Sequence, residues 1–443
     1  MGERRTGAGP GAGREEAPVS ERPAEGVLEQ PPAPARSRAV PVLAAAQVLG
    51  GIGVASGIAV NGLLAEQLTG SASLAGLAQT MGVVGAAAMA VPLARLAAAR
   101  GRRPALTTGY LLGTVGATVS IGAALLDTFW VLLVGAALFG GGTASGLQTR
   151  YAAIDGVPAT HRARSLSLVV WATTVGSVTG PNLSSAGASI GRRVGVPDLA
   201  GPYLFSVAAF GLAALLVAVL LRPDPLAFVL AAGRAPADAA GLPAERVGLR
   251  GAVAAAGAAP AARLGLVTVG TAHAVMVAVM VMTPVHLHGD GAGLKIIGFV
   301  ISAHIAGMYA LSPVFGALSD RLGRRPVVGT GIGLLALAML LAGTAGPGAH
   351  LRLGIGLVLL GLGWSACVVA GSTLLSESIE PPARTAVQGL SDLVMGVAAA
   401  GAGVLAGPAL SGGGYGMLNA LTTILLVPVL LLVLVPGRPA ATG

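Results

Sequence analysis

The sequence predicts an all-α membrane protein with twelve transmembrane helices in two pseudo-symmetric six-helix halves. Three observations predict it. Of 443 residues, 54% are hydrophobic and 10% charged, and the mean hydropathy is +0.80. A water-soluble domain needs about 25% charged residues to cover its surface, so much of this surface faces something other than water. The apolar residues gather in runs of about 20, the length a bilayer core demands. Two short motifs also occur once in each half of the chain, in the same order.

Residues 1–39 are rich in Pro, Gly, Ala, Glu and Arg without apolar periodicity, and read as a disordered tail. The first apolar run starts near Val40 and is long enough to span, so no secretory signal peptide is recognisable. Spans are predicted at about 40–64, 73–96, 104–126, 129–151, 165–188 and 202–221, then at about 264–287, 294–318, 326–345, 352–376, 384–408 and 414–436. Between the halves 40–221 and 264–437, residues 222–263 carry Arg222, Arg234, Arg246, Arg250 and Arg263, broken by Pro223, Pro225, Pro236 and Pro243. They read as a linker with room for a short surface helix; residues 438–443 form a short tail. The 69 glycines suit close helix packing where lipid is as apolar as the side chains.

The net charge of +9 does not imply nucleic acid, because the arginines lie in the breaks between apolar runs and not on one basic face. Arg100, Arg102, Arg103, Arg162, Arg164, the linker arginines, Arg321, Arg324 and Arg325 fall on one side of the predicted topology. The other side holds Arg192, Arg193, Lys295 and Arg352. Positive charge marks the cytoplasmic side, which places both termini inside a multi-pass cell-membrane protein surrounded by lipid. The single cysteine, Cys367, excludes intrachain disulfides and Cys-based metal sites.

Arg100-Gly101-Arg102-Arg103-Pro104 is echoed by Leu322-Gly323-Arg324-Arg325-Pro326, and Gly176-Ser177-Val178-Thr179-Gly180-Pro181 by Gly403-Val404-Leu405-Ala406-Gly407-Pro408. The longer segment from Gly316 through Asp320 and Arg321 to Pro326 resembles the cytoplasmic loop signature of the major facilitator superfamily. That resemblance implies two parallel halves, secondary transport by alternating access, a small-molecule substrate, no cofactor, no enzymatic chemistry and a monomer. It also implies a latch. Gly316 permits close packing, Gly323 a tight turn, and Asp320 faces the N-terminus of a helix from the other half, where the dipole favours an anion. That helix is entered through Arg162 and Arg164. In the first half Ala94 and Ala98 replace Gly316 and Asp320, so Arg102 or Arg103 would work against Asp155 or Asp392 instead.

Gly176, Gly180 and Pro181 resemble the antiporter signature of the superfamily's drug:proton branch, without its following double glycine. The resemblance implies proton-coupled efflux of a small amphipathic compound. Import or facilitation by the same fold is the alternative, and a membrane-embedded enzyme or receptor a remote one. The arginine that the branch carries in span four is missing near Ala137, which leaves proton coupling to other residues. Ionisable groups inside spans are costly and functional by default: Asp392, His273, His304 and Arg150. Each histidine is a proton relay or a partner of a neighbouring carbonyl; Asp392 is a latch partner or a proton site. Gln47, Asn61, Trp171 and Asn182 are candidate cavity residues. His286, His288 and Asp290 read as solvated loop residues and not as a metal site. No phosphate-cradling Gly-rich Lys motif is present to couple ATP.

Overall fold

The computed structural model describes residues 1–2, 33–70, 72–231, 247–292 and 294–434. Within them the chain folds as α1 (Ala33–Thr69), α2 (Ala72–Arg100), α3 (Arg102–Leu125), α4 (Phe129–Ala152), α5 (Arg162–Asn182), α6 (Ser184–Arg193) and α7 (Pro202–Leu220). After the connecting segment come α8 (Leu249–Ala258), α9 (Pro260–Gly289), α10 (Leu294–Tyr309), α11 (Ser312–Leu322), α12 (Arg324–Gly343), α13 (His350–Glu377), α14 (Pro381–Ile424) and α15 (Val427–Leu434). Helix α1 begins at Ala33, inside the stretch read as a tail. The rest of that tail from residue 3, the middle of the linker (232–246) and the tail at 438–443 lie outside the described residues.

The expected count of twelve spans in two six-helix halves is corrected. Among the described residues, ten helical segments are long and apolar enough to cross a bilayer, five on each side of the connecting segment. Two physical reasons account for the difference. The run expected at 165–188 is interrupted at Leu183, between α5 and α6, and Arg162, Arg164 and the many Ser and Thr side chains of α5 leave no apolar window of the required length. The runs expected at 384–408 and 414–436 fall within one apolar segment, Pro381–Leu434, because the helix continues through residues 409–412. Its backbone leaves helical geometry at Gly413 and Gly414, the latter at φ 72°, a left-handed conformation that suits glycine.

Two groups of helices result. Helices α1–α7 enclose a core around Phe139, Tyr110, Tyr203 and Phe210; α9–α15 enclose another around Leu335, Ala338, Trp364 and Cys367. Small residues bring the backbones together. A Cβ on Gly113 would lie 2.9 Å from Gly142 Cα, and the Phe210 ring occupies the space left by Gly53, Gly113 and Gly142. Large apolar side chains such as Leu215, Leu340 and Leu351 remain exposed on the outside, as a lipid-facing surface requires. Helix α5 is packed against α1 of its own group and against α11 of the other. Its hydroxyls therefore meet protein, which permits its polar composition.

Candidate functional site

The two groups meet at one end, which carries Arg100–Arg103, Arg162–Arg164 and Arg321–Arg325 and is called the arginine end below. Along α11, residues at helical i, i+4 spacing face α5 in turn. Ser312 Oγ donates to Ser167 O at 3.0 Å. Gly316 lies so close to Ser167 Oγ that a Cβ would overlap it. Asp320 accepts from the backbone N–H groups of Ala163 at 3.2 Å and Arg164 at 3.0 Å. Those amides are among the orphan donors of the first turn of α5, where the helix dipole favours a carboxylate. Gly323, at φ 92°, turns the chain into α12. The Arg164 and Arg321 side chains are exposed, so Arg164 takes part through its backbone. Arg325 donates to Leu432 O at 2.9 Å, tying α12 to α15.

Two ion pairs repeat across the groups, the first buried and the second half-buried. Arg102 Nε meets Asp155 Oδ2 at 2.7 Å, and Arg324 grips Glu377 with two bonds of 3.0 and 2.8 Å. The partners are 53 residues apart in both cases. Each arginine also reaches the opposite group: Arg102 donates to Gln388 on α14, and Arg324 to Ala159 O before α5. Arg324 lies 3.2 Å from Asp320 as well. Burial pushes the Asp155 carboxyl above the ordinary range, and the Arg102 charge and hydrogen bond oppose that without cancelling it. Arg103 contributes its backbone N–H, which donates to Asp224 at 2.6 Å. Glu377, Asp224 and Gln388 escaped the sequence reading. The repeat held the signal for Glu377, since it stands to Arg324 as Asp155 stands to Arg102.

Deeper in, Arg150 on α4 and Asp392 on α14 pair at 2.7 Å, at 4% and 1% exposure. Asp392 therefore takes Arg150, not Arg102 or Arg103. All hydrogen bonds of Arg150 run from Nη2: to Asp392 Oδ1, to Met395 Sδ at 3.1 Å and to Tyr151 OH at 3.4 Å. Arg150 Nε and Asp392 Oδ2 are buried without a partner among the described residues. Tyr151 OH in turn donates to Ser391 Oγ at 3.0 Å, so α4 and α14 are joined twice. His273, Tyr309 and Trp364 stand nearby: Trp364 Nε1 donates to His273 Nδ1 at 3.0 Å, and the Tyr309 and Trp364 rings meet edge to face. The Arg150 charge reaches both His273 and Tyr309.

The remaining candidates lie elsewhere. His304 is bonded to Leu357 O at 2.8 Å, a packing contact between α10 and α13. Asn182 Nδ2 donates to Val178 O of its own helix, and Trp171 is 43% exposed on α5. Gln47 bonds Thr173 at 3.0 Å. Asn61 bonds Gln79 and receives Tyr203 OH beside a cavity of about 200 Å³ between α1, α2, α4 and α7. Gly176 and Gly180 press on α1: their Cβ atoms would lie 2.6 Å from Gly51 Cα and 2.9 Å from Ser56 N. Pro181 falls within the α5 helix. His286 stacks on Tyr415 with ring centroids 4.3 Å apart. Among the described residues no group of three or more His, Cys, Asp or Glu is placed to hold a metal ion.

Away from the arginine end the groups separate. A Cβ on Gly389 would overlap that of Ala94, and one on Gly396 would lie 2.7 Å from Ala87 Cβ, but Gly401, Gly403 and Gly407 have nothing within 4 Å. Val178, Phe299 and Val404 are exposed there.

The chain can thus be placed among known proteins. It is 34% identical over 396 residues to the uncharacterized MFS-type transporter YdeG of Bacillus subtilis (strain 168), covering 88% of this chain and 90% of that protein. With YddS of the same organism it shares 36% over 399 residues, covering 88% and 89%. The fold resembles the crystal structure of the human organic anion transporter MFSD10 (TETRAN), with a TM-score of 0.70 and 17% identity over 91% of this chain and 100% of that one. The sequence profile of the Major Facilitator Superfamily matches residues 42–294 and 264–443. Two helix groups joined at one end, the repeated arginine pairs and these matches lead to one conclusion: the chain belongs to the Major Facilitator Superfamily, and is a multi-pass membrane transporter and not an enzyme.

Proposed function

We propose that this secondary transporter moves a small organic solute into the cell by alternating access, with a proton as the coupling ion and Asp392 as the group that carries it. The arginine end is the cytoplasmic end, by the positive-inside rule, with both termini on that side. The structure is then the state closed to the cytoplasm, and the contacts of Asp320, Arg102 and Arg324 across the groups are the latch that opens in the other state. One protomer suffices, since both groups belong to a single chain.

The Arg150–Asp392 pair carries the reading. It joins the two groups at buried depth, so it must part when they separate. An ionised carboxylate left alone there is costly, and parting needs either a proton on Asp392 or a new cation beside it. Export, implied by Gly176, Gly180 and Pro181, has less support: the two glycines are spent on seating α5 against α1, and their echo at Gly403 and Gly407 meets no neighbour.

Proteoliposomes with an imposed pH gradient, screened against a panel of labelled small solutes, test this. Accumulation that follows the inward proton gradient is expected. Asp392→Asn should abolish accumulation but spare exchange at equal protein abundance. If exchange and accumulation fall together, in the same proportion, Asp392 only holds the groups together and carries no proton. Extrusion driven by the same gradient would refute the direction.

A further inference from the structure

We propose that Arg150 is the anchor for a carboxylate of the substrate, which takes the place of Asp392, so that the transported solute is an organic monoanion with an apolar body. This rests on the reading of the Arg150–Asp392 pair as the transport site.

The grip of the pair is the first argument. A guanidinium presents a planar fork that matches a carboxylate through two parallel bonds. This chain makes that match once, within one helix group: Arg324 holds Glu377 through Nε and Nη2 together. Arg102 meets Asp155 through Nε alone, but its Nη2 is also engaged, by Gln388 of the opposite group. Arg150 has neither arrangement. Asp392 touches it at Nη2 alone through one oxygen, leaving Nε and the second carboxylate oxygen buried and unpartnered. A carboxylate arriving at the free edge of the fork gains two bonds where Asp392 has one. Asp392 is therefore a replaceable occupant of a site built for a better-seated anion.

Charge accounting is the second. A buried guanidinium is tolerable when paired and costly when alone, and the site crosses between two accessible states. With Asp392 ionised the empty site is neutral. With Asp392 protonated and a solute carboxylate on Arg150 the loaded site is neutral too. Only the loaded form parts the groups without leaving a lone buried carboxylate, so the proton and the monoanion travel together. The other ionisable groups around this centre are Tyr151 on α4, His273 on α9, Tyr309 on α10 and Arg102 on α3, whose charge reaches Asp392.

The third is the wall available to the rest of the solute. Ala136, Phe139 and Thr143 line the cavity of about 200 Å³ beside Asn61 and Tyr203. Thr143 and Arg150, two turns apart, share one face of α4 at a separation of about 10 Å. Tyr309 and Trp364 stand on the opposing group. The lining of the cavity stops at Thr143, and the face of α4 from there to Arg150 would carry an aryl or alkyl body of about this length.

The test is equilibrium binding to purified full-length protein carrying Trp130→Phe and Trp171→Phe, which leaves Trp364 as the fluorescent reporter. Benzoate, 4-phenylbutanoate and octanoate are titrated beside their primary amides at pH 7. Saturable change with the acids, and at least tenfold weaker binding of the amides, is expected. Asp392→Asn should tighten acid binding, because the competing carboxylate is gone. The double variant Arg150→Gln/Asp392→Asn, which leaves no unpaired charge, should lose acid binding at least tenfold. Should that variant fail to fold, Arg150→Lys serves, keeping the charge without the fork and weakening the acids several-fold. Equal binding of acids and amides, unchanged binding in the double variant, or no response to any acid in wild type and Asp392→Asn would each overturn the proposal. Acids that bind without proton-driven accumulation would refute the coupling and leave the anchor standing. Accumulation of neutral solutes without acid binding would do the reverse.

Discussion

Asp320→Asn is the sharpest probe of the contact at the arginine end. The carboxylate accepts from two backbone amides at the start of α5, at 3.2 and 3.0 Å, and is itself 8% exposed. Asparagine keeps one acceptor oxygen and loses the charge. A hydrogen bond to a charged acceptor contributes about 1.5–3 kcal/mol net, and a carboxylate at a helix N-terminus about 0.3–1 kcal/mol. Arg324 loses one of its carboxylate neighbours but retains Glu377, so the pair inside the second group survives. Allowing for the bond that remains, the substitution removes about 2 kcal/mol from the joined state alone, or about 30-fold in the ratio of joined to parted molecules. Ser312→Cys in a Cys367→Ala background reads this out, since Ser312 is buried under α5 when the groups are joined. Its rate of alkylation by a polar maleimide should rise by roughly this factor while the joined state predominates. Net transport should fall at equal membrane abundance. An unchanged alkylation rate would refute the reasoning, because it would mean that Asp320 does not distinguish the two states.

Gly316→Val puts a branched side chain where even a Cβ overlaps Ser167 Oγ. It should cost about 1–3 kcal/mol in the joined state and slow transport, and Ser167→Gly should restore part of the rate. Arg102→Met leaves Asp155 buried without its cation and should destabilise the detergent-solubilised protein by about 3–5 kcal/mol, read as a lowered melting temperature that Arg102→Met/Asp155→Leu largely recovers. Burial raises the Asp155 pKa, so the folded state binds this proton more tightly than the unfolded one. The stability that Asp155 confers is therefore full below the ordinary carboxylate range and is lost as pH rises through the raised value; Arg102→Met should steepen that loss in melts between pH 4 and 7. Finally, Ser319→Cys and Arg164→Cys in a Cys367→Ala background should cross-link quickly in the joined state and slowly when substrate and gradient favour the other. Rates indifferent to both would make the contact a fixed surface feature.

Much of the architecture was legible because lipid imposes simple rules. Apolar runs located nine of the segments that qualify as spans, and the run of arginines marked the end where the groups join. What failed was counting. Apolarity is a sound guide for helices that face lipid, but α5 faces α1 and α11, where the Ser167 hydroxyl donates to Arg164 O and that of Thr173 accepts from Gln47. The reading expected a break at about 409–413; the helix runs through most of it, and the chain leaves helical geometry at its far edge, at Gly413 and Gly414. At the site, residue types were legible and pairings were not. Arg150 and Asp392 stood out as charges within apolar runs, yet they are 242 residues apart, and nothing local in the sequence says that α4 and α14 meet. Glu377 was the opposite case, hidden at the end of an apolar run yet recoverable from the repeat.

The ion pairs divide by what they join, and that division bears on how the protein changes state. Arg102–Asp155 and Arg324–Glu377 each lie within one helix group, the first through one bond and the second through two. They hold the loop after α4 to the start of α3, and the end of α13 to the start of α12, so they move with their groups as rigid parts. The contacts that must break lie between the groups: Asp320 with the α5 amides, Arg102 with Gln388, Arg324 with Ala159 O, and Arg150 with Asp392. The contacts of Asp320 and Arg324 sit near water at the arginine end, where parted groups are readily rehydrated and the net cost of separation is small, whereas Arg102 and Gln388 are each 1% exposed. Arg150–Asp392 is deeper, and its separation exposes charge to a medium that solvates it poorly. On the proposed transport cycle the barrier to the change of state lies at these buried contacts, and the charged one is released by whatever neutralises Asp392 or replaces it on Arg150.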